Sequence, residues 1–205
     1  MVTPEMLYQS RVATQSLSYT HWITEELFSV QWWGLLTFVV LTYFIVFKLI
    51  DKRRFTEILL FGSLVAVTVG VVDTIASSFV LWSFTVRFFP IEPSVFLYDL
   101  TLAPLYYMLV YQYTSSWKQY FIWNTVAAGL MSFVFLPVLT FFKIYQIHNW
   151  SYFNNFLVLF VIGAIARFTT ILVISMEHRR RENYEATSFV AAHPAMMKPM
   201  TETDE

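Results

Sequence analysis

Asp51-Lys52-Arg53-Arg54-Phe55-Thr56-Glu57 opens directly onto the long apolar run that begins Ile58-Leu59-Leu60-Phe61 and carries Asp73 inside it. A basic cluster feeding a hydrophobic stretch anchors one end of a membrane helix, and a carboxylate within such a stretch is costly enough to need a reason. Working outward from this stretch, four further apolar segments of comparable length fall into place. The expected spans are 30–50, 55–81, 94–113, 120–142 and 151–176, each near the ~20 residues that cross a hydrocarbon core of ~30 Å. Short connections make sequence neighbours antiparallel neighbours in space.

Composition supports the same class. Hydrophobic residues make up 57% of the 205 and charged residues only 13%, with a mean hydropathy of +0.56, whereas soluble domains carry about 25% charged residues. The net charge of -1 offers no basic field for nucleic acid. The absence of cysteine removes disulfides, thiolate nucleophiles and thiolate metal sites. The fold expected is therefore an all-α integral membrane bundle of five transmembrane helices. Residues 1–29 form an extracytoplasmic segment, 30–176 the membrane domain and 177–205 a disordered cytoplasmic tail.

Residues 1–29 lack the basic start, apolar core and cleavage site of a secretory signal, and read as a short surface helix beginning at Thr3-Pro4-Glu5 or as a tail. Orientation follows from the basic residues. Lys48, Lys52, Arg53, Arg54, Lys118, Arg179, Arg180, Arg181 and Lys198 collect on one side, and Arg11, Arg87 and Lys143 on the other. The positive-inside rule then places the N-terminus outside and the C-terminus in the cytoplasm. Lys52, Arg53, Arg54, Arg179, Arg180 and Arg181 are the topology anchors. Trp32, Trp33, Trp82 and Trp150 fall at the outer boundaries and Trp117 and Trp123 at the inner ones, where amphipathic rings are best accommodated.

With depths assigned, Asp73 lies about 18 residues, or ~27 Å, beyond Phe55 and so in the outer half of the second segment. Asp99, a few residues into the inward-running third segment, reaches the same level. Gly62, Ala66, Val69, Asp73 and Ser77 share one helix face, as do Asp99, Ala103, Tyr106 and Tyr113, and the two faces are expected to oppose each other. The candidate polar pocket is Asp73, Asp99, Tyr98, Tyr106 and Ser77. Its carboxylates either share a proton or cation, or simply hydrogen-bond neighbouring helices. In the inner half, Glu57 and Arg167 form a candidate charged pair, with snorkelling of Arg167 as the alternative. Pro104 and Pro137 are expected to kink the third and fourth segments.

Several activities are excluded. No lysine sits mid-membrane for a retinal Schiff base, and the histidines have no metal-ligand spacing. Neither a Gly-x-Ser-x-Gly elbow nor a phosphate-binding glycine loop occurs. No catalytic residue, cofactor or metal is assigned, and the reading inclines away from an enzyme. The expected function is a binding or transport module, linked to a small molecule, a cation or protons, that uses the outer acidic pocket. The alternatives are a non-catalytic membrane interaction or assembly protein and, behind it, an enzyme acting on a lipid-like substrate. Expected partners are the lipid bilayer and, through homo-oligomerisation or pairing, another membrane protein; nucleic acid is not among them.

Asp51-Lys-Arg-Arg-Phe-Thr-Glu57 with Gly62 and Asp73, then Tyr98-Asp99 with Pro104, Tyr107-Met-Leu-Val-Tyr-Gln112 and Ser116-Trp-Lys118, then Pro137, Ile144-Tyr145 and Trp150, resembles a family of small multi-spanning, functionally uncharacterised membrane proteins of spore-forming Firmicutes. The resemblance covers about residues 32–181. It implies a bacterial plasma-membrane protein and supplies no activity.

Overall fold

The computed structural model describes residues 2–91 and 98–192, with the side chains of 185–187 and 189–192 excepted. Four of the helices open on side-chain caps that the sequence carries. Thr3 accepts from Met6 N ahead of Pro4 to open α1 (Pro4–His21). Ser29 accepts from Trp32 N at α2 (Val30–Leu49), Ser116 from Gln119 N at α5 (Trp117–Leu130), and Ser151 from Asn154 N at α7 (Tyr152–Ala192). Asp51 caps the short 3₁₀ turn Lys52–Arg54 by accepting from Arg53 N at 2.9 Å, and α3 (Phe55–Ser78) follows without a break.

The chain is mostly helical, and among the described residues four helical stretches are long and apolar enough to cross a bilayer: Val30–Leu49, Lys52–Ser78, Trp117–Phe141 and Tyr152–Tyr184. These coincide with four of the five expected segments. At the place of the other, the described helix comprises a π-helical turn, Tyr98–Leu102, and α4 (Ala103–Gln112), with 94–97 outside the described residues. The fourth segment is continuous through α5, a π turn Met131–Phe135 and α6 (Leu136–Phe141). Pro104 and Pro137 thus each sit just past a π turn. A proline removes one backbone donor and crowds the carbonyl four residues back, and the wider turn absorbs both effects.

One element departs from an all-α fold. β1 (Trp82–Phe84) pairs antiparallel with β2 (Tyr145–Ile147), with Trp82 opposite Ile147 and Phe84 opposite Tyr145. The two strands leave helix ends built alike. Val80 and Lys143 hold φ of 53° and 56°, and the next amides, Leu81 N and Ile144 N, bond back to Ala76 O and Leu139 O. This is the left-handed helix stop usually made by glycine.

The chain divides into two compact units, Met1–Arg167 and Phe168–Glu205. In the first, α3 and α4 are tightly apposed: a methyl group on Gly62 would overlap the Met108 side chain, and Phe61 stacks on Tyr111 with centroids 4.4 Å apart. The first part of α7 is tied in through its own carbonyls. Tyr107 OH donates to Leu159 O at 3.1 Å, Asn124 Nδ2 to Phe160 O at 2.9 Å and Tyr120 OH to Gly163 O at 2.7 Å. Gly163 is required there, because a Cβ would collide with Asn124 and Tyr107. The second unit contains the remainder of α7, on which Arg179, Arg180 and Arg181 are exposed. Where a disordered tail was expected from 177, the helix runs on to Ala192, and 193–205 lie outside the described residues.

Candidate functional site

Asp73 and Asp99 line one small cavity. α3 brings Asp73 in on the face that also buries Val65 and Val69, while the π turn before Pro104 presents Asp99. The two carboxyls face each other closely enough to interact through their side chains. Asp73 Oδ1 accepts from Trp82 Nε1 at 2.6 Å. Asp99 is fully buried, and neither of its oxygens has a hydrogen-bond partner among the described residues.

The cavity measures ≈ 20 Å³, about the room one water needs. Tyr98, Asn155 and Tyr145 supply its remaining polar lining, and the other walls are apolar. Asn155 Nδ2 donates to Ser132 Oγ at 2.9 Å, while the Tyr98 hydroxyl faces Asn155 without completing a hydrogen bond of ordinary geometry. Trp82, Phe84 and Tyr145 come from the two-stranded sheet, so that sheet forms one wall of the site. Trp150 braces Trp82 edge-on, at 5.6 Å between centroids.

Of the five residues expected in this pocket, Asp73, Asp99 and Tyr98 meet there. Tyr106 does not. It lines a separate apolar groove of ≈ 420 Å³ with Phe38, Leu130 and Val134. Its place three residues past Ala103 turns it toward α2 and away from α3, because the π turn shifts the register of the helix face that Asp99 began. Ser77, half-buried one turn beyond Asp73, is not a cavity residue either.

The inner charged pair takes a different form from the one expected. Glu57 receives Arg54 at 2.8 and 3.0 Å and the Tyr111 hydroxyl at 2.5 Å, and no ion pair joins it to Arg167 among the described residues. Arg167 donates to Thr114 Oγ1 at 2.9 Å and lies over the rings of Tyr120, Trp117 and Tyr111, at 4.4, 5.2 and 5.6 Å from their centroids. Tyr111 therefore stands between the two charges, its hydroxyl on Glu57 and its ring beneath Arg167. Lys52 and Arg53 are exposed at the start of α3.

Sequence reasoning missed three groups. Trp82 was placed only as a boundary ring, although its N–H is the donor that Asp73 uses. Asn124 and Asn155 are amides inside apolar segments, and that isolation was a usable signal. Glu26 and Arg87 form a buried ion pair: Arg87 reaches Glu26 through its backbone N at 2.8 Å and Nε at 3.1 Å, with Nη2 closing the second contact at 2.5 Å. Ser18 accepts from Arg87 Nη1 at 2.8 Å, and Trp22 Nε1 donates to Arg87 O at 3.1 Å, so the N-terminal helix is held to the chain after β1.

Among the described residues no group of three or more His, Asp or Glu side chains could hold a metal ion. Comparison with protein-family models, with curated proteins and with solved structures returns no match, so the site is read from its own geometry. Four helices of membrane-crossing length among the described residues fit a membrane protein.

Proposed function

We propose that the chain is a five-pass membrane protein whose carboxyl pair, Asp73 and Asp99, is the working site of a cation- or proton-linked binding or transport module. The single observation that carries this reading is Asp99. It is a fully buried carboxyl with no hydrogen-bond donor among the described residues, facing a second carboxyl across a cavity. A carboxylate serving only to join helices would have its oxygens filled, as those of Glu26 and Glu57 are. The helix containing Tyr98 and α4 is read as the additional pass. The distribution of basic residues supports an outside N-terminus and a cytoplasmic C-terminus. The resemblance on Asp51 to Glu57, Tyr98-Asp99 and Tyr107 to Gln112 supports a bacterial plasma membrane as the location.

Proteoliposomes carrying the full chain and an entrapped pH-sensitive dye test this. A pH step should drive proton flux above that of empty vesicles, and Asp73→Asn should lower it at least tenfold with helical content and elution volume unchanged. A variant that is unstable in detergent, or that conducts like the parent, leaves the pair with a structural role only.

A further inference from the structure

The Asp99 carboxylate must be neutralised, and no cationic side chain among the described residues lining its cavity can do so. Among the described residues the cavity has no Lys, Arg or His. The titratable groups that face Asp99 are Asp73 from α3, Tyr98 on its own turn and Tyr145 from β2, and none of them brings positive charge. The indole N–H of Trp82 is directed to Asp73. Burying a carboxylate without donor or counter-charge is prohibitive. A second unfilled oxygen lines the same cavity: the Tyr98 hydroxyl, on a side chain only 8% exposed, faces Asn155 without completing a hydrogen bond of ordinary geometry. Three oxygens without an ordinary hydrogen bond among the described residues, two on Asp99 and one on Tyr98, thus belong to side chains lining a volume of ≈ 20 Å³.

That volume excludes an organic solute, since ligand pockets for such molecules start at about 300 Å³. Divalent ions fit poorly as well. Calcium takes about six to eight oxygens and magnesium keeps several of its waters, whereas this cavity offers two carboxyls and no third acidic group. We infer that the cavity between Asp99, Asp73 and Tyr98 holds one small univalent cation, either a proton or an ion of sodium size, the two competing for the Asp99 carboxylate. The inference deepens the transport reading by naming the occupant, and it depends on that reading only for where the cation goes afterwards.

Calorimetric titration of the full chain in nanodiscs with sodium, lithium, potassium and calcium chlorides, with ionic strength held by choline chloride, tests the occupant. The sodium arm predicts heat with Na⁺ or Li⁺ at pH 8.5 that fades toward pH 6, and none with K⁺ or Ca²⁺. The proton arm predicts no heat with any salt, and an infrared band of a protonated carboxyl that titrates in the parent and is missing from Asp99→Asn. On the sodium arm Tyr98→Phe, which keeps both carboxyls, should weaken binding about tenfold; on the proton arm it should displace the infrared band. This variant decides the matter if Asp99→Asn does not fold. Absence of both the heat and the band overturns the inference, as does equal binding of K⁺ or Ca²⁺, or a Tyr98→Phe variant identical to the parent. Cation binding without flux in proteoliposomes would leave the occupant standing and remove the transport reading; flux of an organic solute indifferent to Na⁺ and pH would do the reverse.

Discussion

Tyr111 shows how one side chain settles a question that charge spacing left open. Glu57 and Arg167 were plausible partners from depth alone, yet Tyr111 fills the space between them, donating to one and lying beneath the other. Its ring also stacks on Phe61, so it belongs at once to the apolar core and to the charged layer. The Tyr111→Phe variant separates these roles. Packing stays, the hydroxyl is lost and Glu57 keeps only Arg54. Thermal unfolding in detergent should register a loss of about 1 to 3 kcal/mol, the range for hydrogen bonds to charged groups. A change within error would mean that Arg54 alone satisfies Glu57. Neither role could be read from the sequence, where Tyr111 is one aromatic among twelve tyrosines.

At the scale of elements, neither the two-stranded sheet nor the π turns were legible in the sequence. Trp82-Ser83-Phe84 and Tyr145-Gln146-Ile147 alternate as strands do, but three residues are too few to separate a strand from the fraying end of an apolar run. The π turns arise from the prolines, which the sequence did flag, although only as kinks. Caps were more legible, since Thr3-Pro4-Glu5 correctly marks the start of α1. The stop of α3 gives a test. Val80 is β-branched and sits at φ 53°, a conformation that disfavours any side chain with a Cβ. Val80→Gly is expected to raise stability by about 1 kcal/mol, seen as a higher melting temperature. If the melting temperature falls instead, the valine side chain contributes packing that outweighs its backbone strain.

At the scale of the whole molecule, hydrophobic length and the position of the basic clusters made the membrane class and four long helices readable. The level shared by Asp73 and Asp99 also followed from counting residues along helices, and both line one cavity. The role of residues 1–29 was not readable, because Glu26 and Arg87 are 61 positions apart and each looks like an ordinary surface charge. Their burial makes them asymmetric under substitution. Arg87→Met alone strands a buried carboxylate and should cost about 3 to 5 kcal/mol, whereas Glu26→Leu with Arg87→Met should cost far less, because replacing a whole buried pair is often neutral. Protease cleavage in the link between α1 and α2 reads this directly: rapid in the single variant and slow in the double. Equal rates would show that Trp22, whose indole donates to the Arg87 backbone carbonyl, holds the N-terminal helix without the ion pair.

The two strands of the small sheet come from loops far apart in the chain: Ser83 Oγ and His148 Nε2 lie 3.0 Å apart although 65 residues separate them. During synthesis Trp82 emerges long before its partner strand, and Asn155 later still. The wall around Asp99 is therefore completed only once α7 has begun to insert. A chain arrested before Tyr145 would carry both aspartates without the β2 and α7 walls of the cavity they share, so the site takes shape only as the last described helix folds.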